Sequence, residues 1–243
     1  SAMAETLHID EASDTIFENF IKLGDGPKPI KKLVEAIEQL RPDIIYYPSL
    51  GMSHWTVMLA QLRLAPIQIM SHGHPATSMI DTIDYVYLPE FDHGVAAKVS
   101  EKILMGNADF TFAAHPTLPK TLPKLVEPTS REVRVAVTSK VLHLSHRLLD
   151  ICRRLGEAAP VPVKFSFFPG ERGLYFDGLS ASIEAYLPTA TVVPYVNYPE
   201  FLREIAKCDL ALAAFPFGNT NSTVDTCLLG LPTVAHYGDD TAS

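Results

Sequence analysis

Residues 210–230 read LALAAFPFGNTNSTVDTCLLG, and this stretch decides the fold of the second half of the chain. The apolar run 210–214 predicts a buried strand, which leads through a short loop into a helix. Small polar residues at the helix start leave backbone N–H groups free beside the positive end of the helix dipole, which suits a phosphate. Asp225, one turn into the helix, is placed to accept hydrogen bonds from a ribose hydroxyl pair. On spacing alone, plain N-capping by Asn221 or Ser222 explains the same pattern.

Strands and helices alternate along the rest of the chain in the same way. Apolar runs predict further strands at 43–47, 66–70, 84–88, 133–137, 163–168 and 191–193. Apolar residues at spacings of three and four predict helices around 30–40, 144–155 and 201–205. Near-continuously apolar strands separated by helices indicate the α/β class, with parallel sheets covered on both faces.

The segment 115–128 is rich in proline, which can neither join a sheet ladder nor extend a helix. We expect an extended linker here and place the domain boundary near residue 128. The linker then closes an N-terminal domain, 1–128, and a C-terminal domain covers 129–243. Two α/β layers joined in this way form a cleft, and ligands of open α/β sheets bind beyond the carboxyl ends of the strands.

The composition excludes several classes of protein. Lys and Arg number 20 against 28 Asp and Glu, so the net charge is −8, whereas a nucleic-acid binder needs a basic surface. A hydrophobic fraction of 47% is too high for a disordered chain. No apolar run reaches the roughly 18 residues of a membrane span, and no signal peptide is present, so we expect a soluble, cytoplasmic protein. The cysteines, Cys152, Cys208 and Cys227, are expected to be buried reduced thiols.

A second candidate segment, 70–78, directly follows a predicted strand. Gly73 permits a tight turn and Pro75 restricts His74 to an extended conformation, which holds the imidazole at the strand end. His74 is therefore a candidate base or phosphate donor, although a histidine in a loop is more often structural or simply exposed. His72 and His74 also suggest zinc, but no further ligands complete a site, and we expect no metal.

A third candidate segment, 138–147, lies where the strand 133–137 meets its helix. Its basic or titratable groups are Lys140, His143, His146 and Arg147. These groups could surround an anion, and a solvated first helical turn explains them equally well. The sequence contains no glycine-rich dinucleotide motif, Walker loop, nucleophile elbow or zinc signature, which removes dinucleotide oxidoreductases, P-loop enzymes and serine hydrolases from the leading options.

Five motifs in order resemble one family. They are YPSLGM at 47–52, RLAPIQ at 63–68, GHPAT at 73–77, IDYV at 83–86 and FPFGNTN at 215–221. The family is glycosyltransferase family 41, the relatives of O-linked N-acetylglucosamine transferase. Within it the sequence is most similar to the bacterial cytoplasmic N-glycosyltransferases that glucosylate high-molecular-weight adhesins.

The resemblance implies a GT-B fold, in which two facing Rossmann-like domains hold a UDP-sugar in a cleft, with no metal and no cofactor beyond the donor substrate. It places Asn221, with Asn219 and Thr220 in the same motif, at the donor diphosphate, and Asp225 at the ribose. It also places His74 in the active site, where this histidine is proposed to assist catalysis. The implied reaction is inverting transfer of a hexose from UDP to a protein Asn, or Ser/Thr, side chain.

Two departures from the family accompany the resemblance. His143 stands where the family has a lysine that reaches the diphosphate, and a neutral imidazole supplies less positive charge; Lys140, one turn earlier, is the substitute. The family's catalytic regions also begin before this sequence and continue beyond Ser243, so we expect a GT-B fold incomplete at both ends, with weak UDP binding and little transfer by these 243 residues alone. A catalytically degenerate nucleotide-sugar-binding or scaffolding module is the alternative function.

Overall fold

The computed structural model describes residues 1–5, 17–23, 29–71, 76–88, 98–106, 115, 117–128, 131–215 and 218–236. The chain divides into two compact units, Ser1–Ala108 and Asp109–Ser243. This division lies before the proline-rich segment rather than after it. The reason is packing, because Leu118, Leu122 and Leu125 pack against the core of the second unit.

The first unit is an α/β layer with parallel strands. Its described elements are β1 (Ala2–Glu5), β2 (Phe20–Leu23), α1 (Ile30–Leu40), β3 (Ile44–Tyr47), α2 (His54–Ala60), β4 (Ile67–Ser71), β5 (Tyr85–Leu88) and β6 (Lys102–Met105). Strands β3 to β6 form one parallel sheet in chain order, and β1 pairs with β2 in a separate parallel sheet. The predicted strands at 43–47, 66–70 and 84–88 are confirmed to within a residue at each end.

Burial of one helix face and one polar side chain stabilises this unit. Leu33 and Ile37 of α1 are buried in its core, as their spacing on one helix face predicts. Gln68 of β4 is fully buried, and its Nε2 donates to the carbonyls of Leu62 at 3.1 Å and Thr82 at 2.9 Å. Its Oε1 accepts the Leu64 N–H at 3.1 Å, so one amide ties two loops to the sheet.

The second unit is a doubly wound parallel sheet. Its described elements are β7 (Val133–Val137), a 3₁₀ turn (Val141–His143), α3 (His146–Ala158), β8 (Val163–Phe167), α4 (Leu174–Tyr186), β9 (Ala190–Val192), α5 (Tyr198–Ile205), β10 (Leu210–Leu212), α6 (Thr220–Leu229) and β11 (Thr233–Val234). The strand order is β11-β10-β7-β8-β9, with every pair parallel. Because the chain winds outward from β7 in both directions, the order reverses between β7 and β10. This is where ligands bind in such sheets.

Two core clusters cover opposite faces of this sheet. Val135 and Val137 lie in one cluster and Ala136 in the other, as alternation along a strand requires. The expected helix stripe ending at Leu155 is wrong at that residue, which is 47% exposed. No helix in these described ranges is long and apolar enough to cross a membrane.

The cysteines differ in their surroundings. Cys152 and Cys208 are buried, and burial raises the pKa of the Cys152 thiol to about 12 and that of Cys208 to about 11. The expectation of burial is wrong for Cys227, which is exposed on α6. Cys227 directly follows the buried Thr226 in the helix, so the two side chains point in different directions.

Candidate active site

The candidate site lies at the carboxyl edge of the second sheet, where the loops after β7 and β10 meet. Thr138, Ser139 and Lys140 follow β7 and lead into the 3₁₀ turn Val141–His143. The loop after β10 reaches Asn219, the residue that precedes the first turn of α6. The Asn219 Nδ2 donates a hydrogen bond to the Thr138 carbonyl and so joins the two loops. The predicted segments 138–147 and 215–225 are therefore neighbours.

Asn219 is the N-cap residue of α6, yet its side chain makes no capping hydrogen bond. Asparagine is among the best N-cap residues, but here its amide is engaged with Thr138. The backbone N–H groups of the first helical turn, at 220–222, have no acceptor within the helix and receive none from the cap. The alternative of plain capping by Asn221 or Ser222 is wrong, because both residues lie inside the helix.

Three buried polar atoms at this edge have no hydrogen-bond partner among the residues the structure describes. They are the Asn219 Oδ1, the Ser139 Oγ and the His143 Nδ1. Ser139 is fully buried, so its hydroxyl is sequestered from bulk water. Burying a polar atom without a partner costs about 1–3 kcal/mol each, which is unusual away from a functional site. Their concentration in the loops after β7 and β10 marks this edge of the sheet.

The cations here differ in their protonation. Burial, together with the positive charge of Lys140, lowers the pKa of the half-buried His143 ring below its usual value. At neutral pH His143 is therefore an uncharged imidazole. Lys140 is exposed, and its stem lies 3.9 Å from where a Cβ of Gly170 would be, in the loop after β8. Arg147 lies with its guanidinium carbon 6.0 Å from the centre of the Phe215 ring, just after β10.

Asp225 is half-buried on α6, and one of its oxygens is engaged. The Tyr198 hydroxyl donates to the Asp225 Oδ1 at 2.7 Å. Burial raises the pKa of the Asp225 carboxyl, while the Tyr198 hydrogen bond and the nearby His115 oppose that shift. Its Oδ2 has no hydrogen bond among the described residues, so one carboxylate oxygen remains available to hydroxyl donors.

The sequence-predicted residues divide into those that the structure gathers and those outside its description. Asn219, Thr220, Asn221 and Asp225 follow one another around the start of α6, and Thr220 and Asn221 are exposed. Lys140 and His143 lie in the loop joined to Asn219. His74, with the rest of 72–75, lies outside the described residues. Within the described ranges, no three His, Cys, Asp or Glu side chains could hold a metal ion together.

Sequence reasoning missed Tyr198 and His115. Their rings stack with centres 4.0 Å apart and planes 24° from parallel. Tyr198 begins α5, so the apolar stripe that predicted this helix did not single it out. His115 belongs to the proline-rich segment, whose composition indicates only an extended linker. No local pattern links these residues to Asp225, because the contacts join three distant segments.

No family model matches the sequence. The chain is 33% identical over 239 residues to a UDP-glucose:protein N-β-glucosyltransferase of Actinobacillus pleuropneumoniae serotype 7 (strain AP76), a match that covers 95% of this chain and 38% of the relative. It is also 33% identical over 239 residues to the protein of the same name from serotype 5b (strain L20). The chain thus spans 38% of the length of these relatives.

Solved structures show the same fold. A variant of the Thermobaculum terrenum O-GlcNAc transferase matches with a TM-score of 0.73 at 16% identity, over 99% of this chain and 47% of that one. The lipopolysaccharide outer core galactosyltransferase WaaB matches with a TM-score of 0.51 at 13% identity, over 89% of this chain and 64% of that one. The predicted α/β, GT-B class is confirmed. The comparisons also confirm that this chain is related to glycosyltransferase family 41, and within it to the bacterial N-glycosyltransferases.

Proposed function

We propose that the chain is part of a UDP-sugar-dependent protein glycosyltransferase, acting in the cytoplasm, that transfers a hexose with inversion to an Asn, or Ser/Thr, side chain. The second unit binds the donor at the carboxyl edge of its sheet. The relatives' name specifies UDP-glucose and a protein acceptor, and the proposal carries both chemical classes to this chain.

One observation carries the proposal, namely the uncapped start of α6. Because the Asn219 amide is engaged with Thr138, the N–H groups at 220–222 remain free for phosphate oxygens. The helix dipole favours the same anion, and the Asn221 side chain is exposed beside it. Asp225, on the same helix, accepts hydrogen bonds from the ribose hydroxyls through its Oδ2 in this proposal.

Transfer requires stabilisation of the departing UDP as negative charge develops on its diphosphate. In the proposal, side chains and helix amides supply this stabilisation and no metal ion is needed. Lys140 and the α6 amides act at neutral pH, and His143 contributes a neutral N–H donor. His74 is the proposed catalytic histidine at the acceptor, on the resemblance alone.

Calorimetric titration of the chain with UDP, UMP and GDP tests donor binding. We expect UDP to bind more tightly than UMP, because the second phosphate reaches the α6 amides, and we expect GDP to bind weakly. Equal affinity for UDP and UMP would contradict diphosphate binding at α6. Transfer is tested by mass spectrometry of an Asn-x-Thr peptide incubated with the protein and UDP-glucose, UDP-galactose or UDP-GlcNAc. Addition of one sugar to the asparagine supports the proposed reaction.

A nucleotide-sugar-binding module without transferase activity is the second candidate. It is favoured by the uncharged state of His143, which leaves no cation at the position of the family lysine. UDP binding without transfer to any acceptor would support this candidate over the first.

A further inference from the structure

The carboxylate of Asp225 is held by a chain of side chains from three segments of the second unit. The His115 Nδ1 accepts hydrogen bonds from the Thr117 N–H at 3.1 Å and the Thr117 hydroxyl at 3.0 Å, which fixes the imidazole plane. That ring stacks on Tyr198, whose hydroxyl donates to Asp225 at 2.7 Å. Each contact restricts the next side chain.

A second trio of the same residue types shows what distinguishes this one. The His146 and Tyr186 rings lie 5.2 Å apart, and the Tyr186 hydroxyl donates to the Asp150 Oδ1 at 3.3 Å. Asp150 also pairs with Arg153 at 2.7 Å, which lowers the pKa of its carboxyl. Asp225 has no such cation among the described residues, and its tyrosine contact is shorter. Its remaining oxygen is therefore oriented without being neutralised.

We propose that Tyr198 and His115 are positioning residues for Asp225, so that the segment after the first unit helps to orient the group that binds the donor ribose. This inference rests on the proposed function. Tyr198 fixes the carboxylate plane by holding Oδ1, which directs Oδ2 toward hydroxyl donors. His115 fixes the tyrosine ring by stacking, since two parallel rings in contact restrict each other's rotation.

The packing of the proline-rich segment explains how His115 reaches α5. Leu118, Leu122 and Leu125 pack against the cluster that contains Leu202 of α5. The Val126 N–H also donates to the Ala206 carbonyl at 2.9 Å, at the end of α5. The segment therefore lies along α5, with His115 at the Tyr198 end.

The test compares the binding of UDP and 2′,3′-dideoxy-UDP to the 243-residue chain. Tyr198→Phe keeps the ring and removes only the hydroxyl. We expect it to weaken UDP about 3- to 10-fold and to leave 2′,3′-dideoxy-UDP within about 2-fold, as for loss of one hydrogen bond that acts through the ribose. In the Asp225→Ala background, Tyr198→Phe should have no further effect, because contacting residues in one network are coupled. Tyr186→Phe is the matched control and should leave both affinities unchanged.

The outcomes separate the two proposals. If the wild-type chain binds no UDP, the proposed function fails, and the role of Tyr198 fails with it. If UDP binds and Asp225→Ala weakens it, but Tyr198→Phe does not, only the positioning role is overturned. Equal losses of UDP and the dideoxy analogue in Tyr198→Phe would also overturn it, since that is the result of general damage to the unit.

His115 is tested by its ring. His115→Ala should weaken UDP about 3- to 5-fold, whereas His115→Phe, which retains a flat ring for stacking, should stay within about 2-fold of wild type. Losses of the same size in both variants would show that stacking is not how His115 acts.

Discussion

Replacing Asn219 with aspartate should close the proposed phosphate site while preserving side-chain size. An ionised carboxylate at this position only accepts hydrogen bonds, so it cannot donate to the Thr138 carbonyl as the Asn219 Nδ2 does. We expect the carboxylate to turn toward the helix and to cap its free N–H groups. Losing the bond to the buried Thr138 should lower the free energy of unfolding by about 1–3 kcal/mol, offset by about 0.3–1 kcal/mol from a negative charge at the helix start.

The effect on the donor should be larger than the effect on stability. A hydrogen bond to a charged group contributes about 1.5–3 kcal/mol. Loss of one phosphate contact should therefore weaken UDP by about 10- to 150-fold in calorimetric titration at a pH of about 7.5. Asn197→Asp is the control, because Asn197 already caps α5 by accepting the Glu200 N–H at 3.0 Å and an aspartate can do the same. A folded Asn219→Asp variant that binds UDP like wild type would refute phosphate binding at the start of α6.

Three further changes test the chemistry of single side chains. Because the pKa of His143 is lowered, wild-type affinity for UDP should rise relative to His143→Lys only as the pH falls below about 6.5, and a constant ratio from about pH 8 to about 5.5 would exclude contact with the diphosphate. Gln68→Leu removes three buried hydrogen bonds and should lower the free energy of unfolding by about 2–4 kcal/mol in urea titration; a loss under about 1 kcal/mol would contradict its role. Arg134 lowers the pKa of Asp209, so this pair should stabilise the fold above pH about 4 and lose that contribution below it. Asp209→Asn should flatten this part of the acid unfolding profile.

The sheet strands were predictable because their signals are local. The run 133–137 is apolar enough for a strand buried on both faces, and it occupies the centre of the sheet. Helix α1 was equally clear, because its apolar residues repeat on one face. Helix α4 gave little signal, since Gly178 and several serines and alanines dilute its apolar face.

The site was predictable only in part. The loop-to-helix pattern and the family motif identify α6 and Asp225, but neither shows where the Asn219 side chain points. That direction depends on the Thr138 carbonyl, which lies 81 positions away in the sequence. The roles of His115 and Tyr198 depend on long-range packing in the same way, because proline content describes the stiffness of a segment and not the surface on which it packs.

The most direct test of the account is a crystal structure of the chain with UDP. The account predicts diphosphate oxygens within hydrogen-bond distance of the backbone N–H groups at 220–222. It also predicts the ribose hydroxyls on the Asp225 carboxylate, with the Tyr198 hydroxyl still on Oδ1. UDP bound elsewhere, or an α6 start that stays free of phosphate when UDP is bound, would contradict the central claim that this helix holds the donor.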